Sequence, residues 1–198
     1  MQAVRVVSGT AVPLDRSDVD TDQIILAEWL KRVERTGFGA GLFATWRESE
    51  RDFVLNREEH AGASILVAGP NFGTGSSREH AVWALTDWGF KAVVSPRFGD
   101  IFRNNATKAG LVPVVVPAEV GEALLRAVEA DPDLEVTVDV DRRVVSAPAA
   151  GIESPFPLDD FTRHRLLEGL DDVGLTLRHA EHIDTHEAGR PDWYPTTA

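Results

Sequence analysis

The sequence predicts an α/β layered domain, and three observations predict it. Apolar runs of strand length recur at 63–68, 92–95 and 111–116; amphipathic stretches of helical length alternate with them; and glycine and proline mark the changes of period. Short parallel strands alternating with helices are therefore expected.

Residues 4–12 read as one β segment. Residues 15–22 then place four carboxylates in eight positions without apolar periodicity, which is a loop. Ile24, Ile25, Trp29, Leu30 and Val33 follow at helical spacing until Gly37, Gly39 and Gly41 interrupt them, so a short helix and a glycine-rich connector are expected before Leu42 and Phe43. The strand at 63–68 runs into the loop 69–75, and Ser76-Ser77-Arg78-Glu79 opens a helix. The alternation continues through a strand at 92–95, a helix at 101–109, a strand at 111–116 and a helix at 118–130. Residues 134–138 and 142–145 flank Asp139-Val140-Asp141 as a hairpin. A further helix at 161–170 follows the proline-rich stretch 154–157. Residues 1–198 read as a single domain in which 165–198 form a helical C-terminal extension.

Composition narrows the function. With 198 residues, 43% of them hydrophobic, the chain can bury a sizeable core. A formal net charge of −12 repels phosphate backbones and anionic lipid, so no nucleic acid and no membrane partner is expected. A small anionic substrate stays compatible, because a pocket needs only a few donors and an arginine to reverse the local field. There is no cysteine, which removes disulfides, thiol nucleophiles and thiolate ligands; iron–sulfur chemistry has to come from a partner. The first nine residues lack the basic start and apolar core of a signal peptide. The most apolar later run, 111–118, is broken by Pro113 and Pro117, so a cytoplasmic location is expected.

The loop 69–79 carries the chemistry. Ser76 and Glu79 have the spacing of a capping box, which predicts a helix start at the serine. The unpaired amides and positive dipole end of a helix start suit a carboxylate, and Arg78 adds a planar fork for one. Gly73 and Gly75 let a ligand approach the backbone, and Phe72 can anchor the loop in the core. The same residues also read as a plain helix cap, a turn and a solvated arginine. A dinucleotide or phosphate loop fits less well: Arg78 stands where a third glycine belongs, and no Gly-Lys-Ser/Thr follows.

The run Phe72-Gly73-Thr74-Gly75-Ser76-Ser77-Arg78-Glu79-His80-Ala81 closely resembles the signature of the swivelling domain of the aconitase superfamily, and Asp20-Thr21-Asp22-Gln23-Ile24-Ile25 resembles its second landmark. The likeness is nearest to bacterial small subunits of 3-isopropylmalate dehydratases. It extends through 35–39, 52–56 and 83–87 to 174–177, nearly the whole chain. The resemblance implies a layered β/β/α fold and a heterodimer in which a large subunit holds a four-iron four-sulfur cluster, one iron staying open to the substrate hydroxyl and a carboxylate. It implies dehydration of 2-isopropylmalate to 2-isopropylmaleate and rehydration to 3-isopropylmalate, a step of leucine biosynthesis without redox change. This chain would bind no metal or cofactor itself, and its substrate would be a small dicarboxylate hydroxy acid.

Carried over by motif, Ser76 is the base that takes the carbon-bound proton, and Ser77 and Arg78 hold substrate carboxylate. Asp20, Thr21 and Asp22 line the site, and Gly73, Gly75, Glu79 and His80 support it. Ile25, Leu26 and Leu30 are expected to face the isopropyl group, and Arg32 or Arg35 to supply another substrate arginine. A serine is a usable base only where positive potential stabilises its alkoxide; the helix amides and Arg78 would supply it. Open alternatives are an acidic turn at Asp20–Asp22, exposed cations at Arg32 and Arg35, a homoaconitate or methylated-malate substrate, and a stand-alone anion-binding module. His179, His182 and His186 share a helical face, but among Glu181, Asp184 and Glu187 they read as a solvated tail, not a metal site. Trp83 and Trp88 read as core or interface packing.

Overall fold

The computed structural model describes residues 1–32, 36–76, 78–191 and 193. The N-terminal β segment is two strands, β1 (Val6–Gly9) and β2 (Ala11–Leu14), which lie in different sheets. The change of sheet falls at Gly9 and Thr10, where Ser8-Gly9-Thr10 interrupts the apolar run, a break that one segment across 4–12 does not register.

β2 pairs in parallel with β3 (Ile65–Ala68), which pairs with β4 (Ala92–Ser95) and then β5 (Val112–Val115). Side chains alternate across this sheet, so a strand apolar on both faces needs two cores. Val12, Leu14, Leu66, Ala68 and Val93 face one core, while Ala11, Ile65, Val67, Val94 and Val114 face the other.

The first core is closed by α1 (Thr21–Ile24), α2 (Ala44–Ser49), α3 (Glu79–Trp88) and α4 (Asp100–Ala109), with the 3₁₀ turns Ala27–Lys31 and Phe38–Gly41 between the first two. The helix expected across 24–33 is thus a single turn followed by a 3₁₀ segment. Trp83 packs on Phe38 with ring centroids 5.5 Å apart, and Arg47 lies 4.5 Å over Trp88, as packing roles require. The second core is closed by α5 (Ala118–Ala130), whose buried Leu124, Leu125 and Val128 follow helical spacing, and by an antiparallel sheet. That sheet runs β1, β6 (Val136–Asp139), β7 (Val144–Ala147), β8 (Ile152–Pro155). The proline-rich stretch thus holds an unforeseen strand; β8 is an edge, where Pro155 need not donate to a neighbour.

α6 (Asp160–Glu168) sends Leu166 into the second core, so the first residues of the expected extension are part of the body. α7 (Asp172–Leu177) is tied down by ion pairs from Asp172 to Arg165 (2.9 Å) and Lys108 (3.0 Å). In α8 (Ala180–Ala188) every residue except Ile183 is exposed. Each fully buried leucine or phenylalanine contributes about 1.5–3 kcal/mol, against about 0–1 kcal/mol for an exposed ion pair. The two cores therefore hold the fold.

The loop after β3 is fixed to the first core by Phe72, whose buried ring meets Phe98 and Phe102 edge-on at 6.3 and 5.3 Å. Gly73 follows with φ +72°, and a Cβ there would lie 2.3 Å from Cγ of Phe102. Its missing side chain makes room for that ring. Gly73→Ala adds left-handed strain of about 1–2 kcal/mol and a clash with a buried ring. Chemical denaturation should show a loss of at least about 2 kcal/mol; an unchanged midpoint would refute this packing account.

His60 closes a 3₁₀ turn and is buried. Burial holds its pKa below the ordinary value, outweighing the carboxylate of Glu59 3.8 Å away; Arg57 also lowers it, and Glu129 and the Ala11 backbone oppose. The folded state then binds the proton less tightly than the unfolded chain, which titrates near 6.5. Stability is full above that pH and falls as pH drops through the window below it. His80 is shifted in the same direction. Unfolding free energy should therefore fall from pH 7.5 to 5.5, and fall less in His60→Gln; equal slopes would exclude His60.

Candidate active site

Two segments 56 positions apart meet at the carboxyl ends of β2 and β3. The first is the start of α1. Asp20 is its N-cap: the Asp20 carboxylate accepts from the Gln23 amide at 2.8 Å, and the Gln23 side chain accepts from the Asp20 amide at 2.9 Å. The capping box is real, but it stands here and not at Ser76. The expected loop 15–22 accordingly ends at Asp20.

The second segment is the glycine-serine loop. The Thr21 amide donates to the Thr74 carbonyl and the Thr21 hydroxyl to the Ser76 carbonyl, each at 2.9 Å. The Asp22 carboxylate takes both terminal nitrogens of Arg78, Nη2 at 3.0 Å, and Arg78 Nε donates to Ser76 Oγ at 3.0 Å. Gly75 has φ +88°, and a Cβ there would stand 3.4 Å from that of Asp20, so glycine suits both the turn and the close approach.

Ser76 does not cap α3. The helix begins at Glu79 with Arg78 as N-cap and no side-chain cap, because Arg78 is extended (φ −137°, ψ 108°) and the serine hydroxyl accepts from its guanidinium instead. Glu79 lies in the first turn, where the helix dipole favours an acid. The site thus offers an exposed serine oxygen touched by a cation, a pairing that stabilises negative charge on oxygen. Asp22 partly offsets that cation. Its side chain is 56% exposed and that of Arg78 15%, so the acid sits on the solvent side of the pair.

A cleft of about 300 Å³ opens here, bordered by Thr21, Gly75, Ser76 and Arg78 and, across it, Asp100 and Ile101. The last two escape a motif reading. They start α4, directly after β4, and the rule that ligands bind beyond the carboxyl ends of parallel strands would have pointed to them. Two larger concavities, of about 600 and 690 Å³, lie near Glu129 and near His60. Arg16 and Arg57 there are paired with Glu50 and Glu129.

The remaining expected residues lie elsewhere. Ile25 is fully buried in the first core and presents no face to a ligand, which corrects its expected place in the pocket wall. Leu26 and Leu30 are half-buried at the Ala27–Lys31 turn. Arg32 stacks on Trp29 at 4.7 Å and donates to the Gly37 carbonyl at 3.1 Å. His80 packs at a tilt against both Phe38 and Trp83, with centroids at 5.3 and 4.7 Å; burial first, and Arg78 after it, lower its pKa against Glu79. Ser77 and Arg35 lie outside the described residues. His179 and His182 stack at 6.0 Å, and among the described residues no three His, Cys, Asp or Glu side chains converge as a metal site would need.

Residues 1–119 match the aconitase C-terminal domain, and residues 172–198 match the C-terminal domain of the 3-isopropylmalate dehydratase small subunit. The 3-isopropylmalate dehydratase small subunit of Parafrankia sp. (strain EAN1pec) is 67% identical over 198 residues, all of both chains. That of Acidothermus cellulolyticus is 65% identical over 190 residues, covering 96% of this chain and 95% of the relative. A crystal structure of 3-isopropylmalate dehydratase from Methanocaldococcus jannaschii is similar with a TM-score of 0.66 and 26% identity, over 92% of this chain and 99% of that one. Identities of 65–67% along nearly the whole chain, with the match of residues 1–119, place this protein in the family of 3-isopropylmalate dehydratase small subunits, with the aconitase C-terminal domain fold.

Proposed function

We propose that the chain is the small subunit of a hydro-lyase that interconverts 2-isopropylmalate and 3-isopropylmalate through 2-isopropylmaleate in leucine biosynthesis, working in the cytoplasm as a heterodimer. The observation that carries the reading is Arg78 Nε on Ser76 Oγ at 3.0 Å, in a loop braced by the second family landmark. The chain has no cysteine to ligate an iron–sulfur cluster, so the family's four-iron four-sulfur cluster belongs to the large subunit. Held there, it would act as a Lewis acid on the departing hydroxyl.

The work left to this chain is binding and proton transfer. Arg78 takes a substrate carboxylate through its fork, which sets the adjoining carbon over Ser76. The Ser76 oxygen removes the carbon-bound proton, and the electron pair left behind forms the double bond as the hydroxyl departs. Rehydration runs the same steps in reverse with the hydroxyl on the neighbouring carbon. Ser77 and one of Arg32 and Arg35 are further carboxylate contacts in this reading, for which Arg32 would leave Gly37. Leu26 and Leu30 form the wall against the isopropyl group.

Reconstituted with a cluster-bearing large subunit, Ser76→Ala should lose at least about 100-fold in kcat, with subunit association intact. Since Ser76 caps no helix, its melting temperature should not move. Near-normal turnover would reassign the base. Polarising the wall in a Leu26→Gln, Leu30→Gln double variant should lower kcat/KM for 2-isopropylmalate by about 10-fold or more. Activity against smaller hydroxy-dicarboxylates should fall less; an unchanged preference would remove these leucines from the pocket.

A further inference from the structure

We infer that Thr21 is a positioning residue for the serine base, a role different from the substrate contact that the family landmark suggests; the inference rests on the proposed function. Thr21 is 2% exposed, and its hydroxyl proton is given to the Ser76 carbonyl at 2.9 Å across 55 positions of sequence. That proton is not free for a substrate, although Thr21 borders the cleft.

The serine needs such a tether. Two glycines at φ +72° and +88° precede it, and glycine imposes little conformational preference, so the loop by itself does not fix where Ser76 Oγ points. Oγ accepts from the side chain of Arg78, itself held by an exposed acid. Thr21 is by contrast a rigid post. The capping box holds its turn, the Phe43 amide donates to the Ile24 carbonyl at 2.8 Å, and Ile24 and Ile25 are fully buried. The post grips the loop twice, through the Thr21 amide to Thr74 and the hydroxyl to Ser76. Removing the hydroxyl leaves the first grip and frees the serine, and misplacement of a reacting group by about 1 Å costs on the order of 100-fold in rate.

The test compares Thr21→Val and Thr21→Ser in the reconstituted two-subunit enzyme. Thr21→Val should lower kcat by about 10-fold or more, with KM for 2-isopropylmalate within about 2-fold. Thr21→Ser, which keeps the hydroxyl, should restore kcat to within about 3-fold of wild type. A normal kcat in Thr21→Val, a loss that serine does not rescue, or a rise in KM at constant kcat would each overturn the role, the last making Thr21 a substrate ligand. If the valine variant does not assemble, Thr21→Ala removes the same hydroxyl and is judged by the same criteria. A wild-type pair inactive on isopropylmalate would defeat the functional reading instead, whereas an active pair killed by Ser76→Ala but indifferent to Thr21→Val defeats only this inference.

Discussion

The site depends on one seam between two loops that neighbouring parallel strands deliver to the same edge. Leu14 at the end of β2 stands opposite Ala68 at the end of β3, so residues 15–22 and 69–78 leave the sheet side by side. They are then stitched: Asp18 to Pro70, Val19 to Gly73 and Thr74, Asp20 in a bridge with Thr74, Thr21 to Ser76, and Asp22 to Arg78. Most of these bonds use backbone groups, and buried backbone groups left unpaired are costly. The seam is thus closed by necessity along most of its length, and Ser76 and Arg78, the residues proposed to carry the chemistry, lie at its far end.

Rigidity is graded along that seam. Val19 and Phe72 are sealed in the first core, Thr21 is buried, and Arg78 and Asp22 are progressively more exposed. Each buried contact is worth more than the exposed ion pair at the end, which contributes under about 1 kcal/mol. A substrate carboxylate can then compete with Asp22 for Arg78 without disturbing the rest. The parallel sheet makes this gradient possible, since its two cores hold both strand ends still.

The regular parts of the fold were legible in the local pattern: the strands at 92–95 and 111–116 are short apolar runs that two cores bury, and the helix at 118–130 follows period 3.6. What escaped was tertiary in origin. The sheet change at Gly9 sends β1 and β2 to distant partners that local pattern does not name, and β8 forms around Pro155 because an edge tolerates it. The capping box is the instructive miss. Asp20-x-x-Gln23 and Ser76-x-x-Glu79 carry comparable local signals, but in the second Arg78 draws off the hydroxyl, a pairing oriented by Asp22 from a distant segment. The motif drew attention to Thr21, Gly75, Ser76 and Arg78, which the fold brings together at one cleft, whereas Asp100 and Ile101 became visible only once the strand order was known.

Charge separates what the whole molecule repels from what the cleft can hold. A chain of net charge −12 opposes the approach of a dicarboxylate most strongly within about 8–10 Å, beyond which salt screens the field. Inside the cleft the deciding charge is Arg78, mostly buried and pointed at Ser76 by a carboxylate that is mostly exposed. Water screens the exposed acid more than the buried cation, so the pair is not neutral from the serine's side. In the proposed reaction that imbalance would let a weakly acidic hydroxyl accumulate negative charge, and the hydroxyl of Thr21 would keep Ser76 where the imbalance is felt.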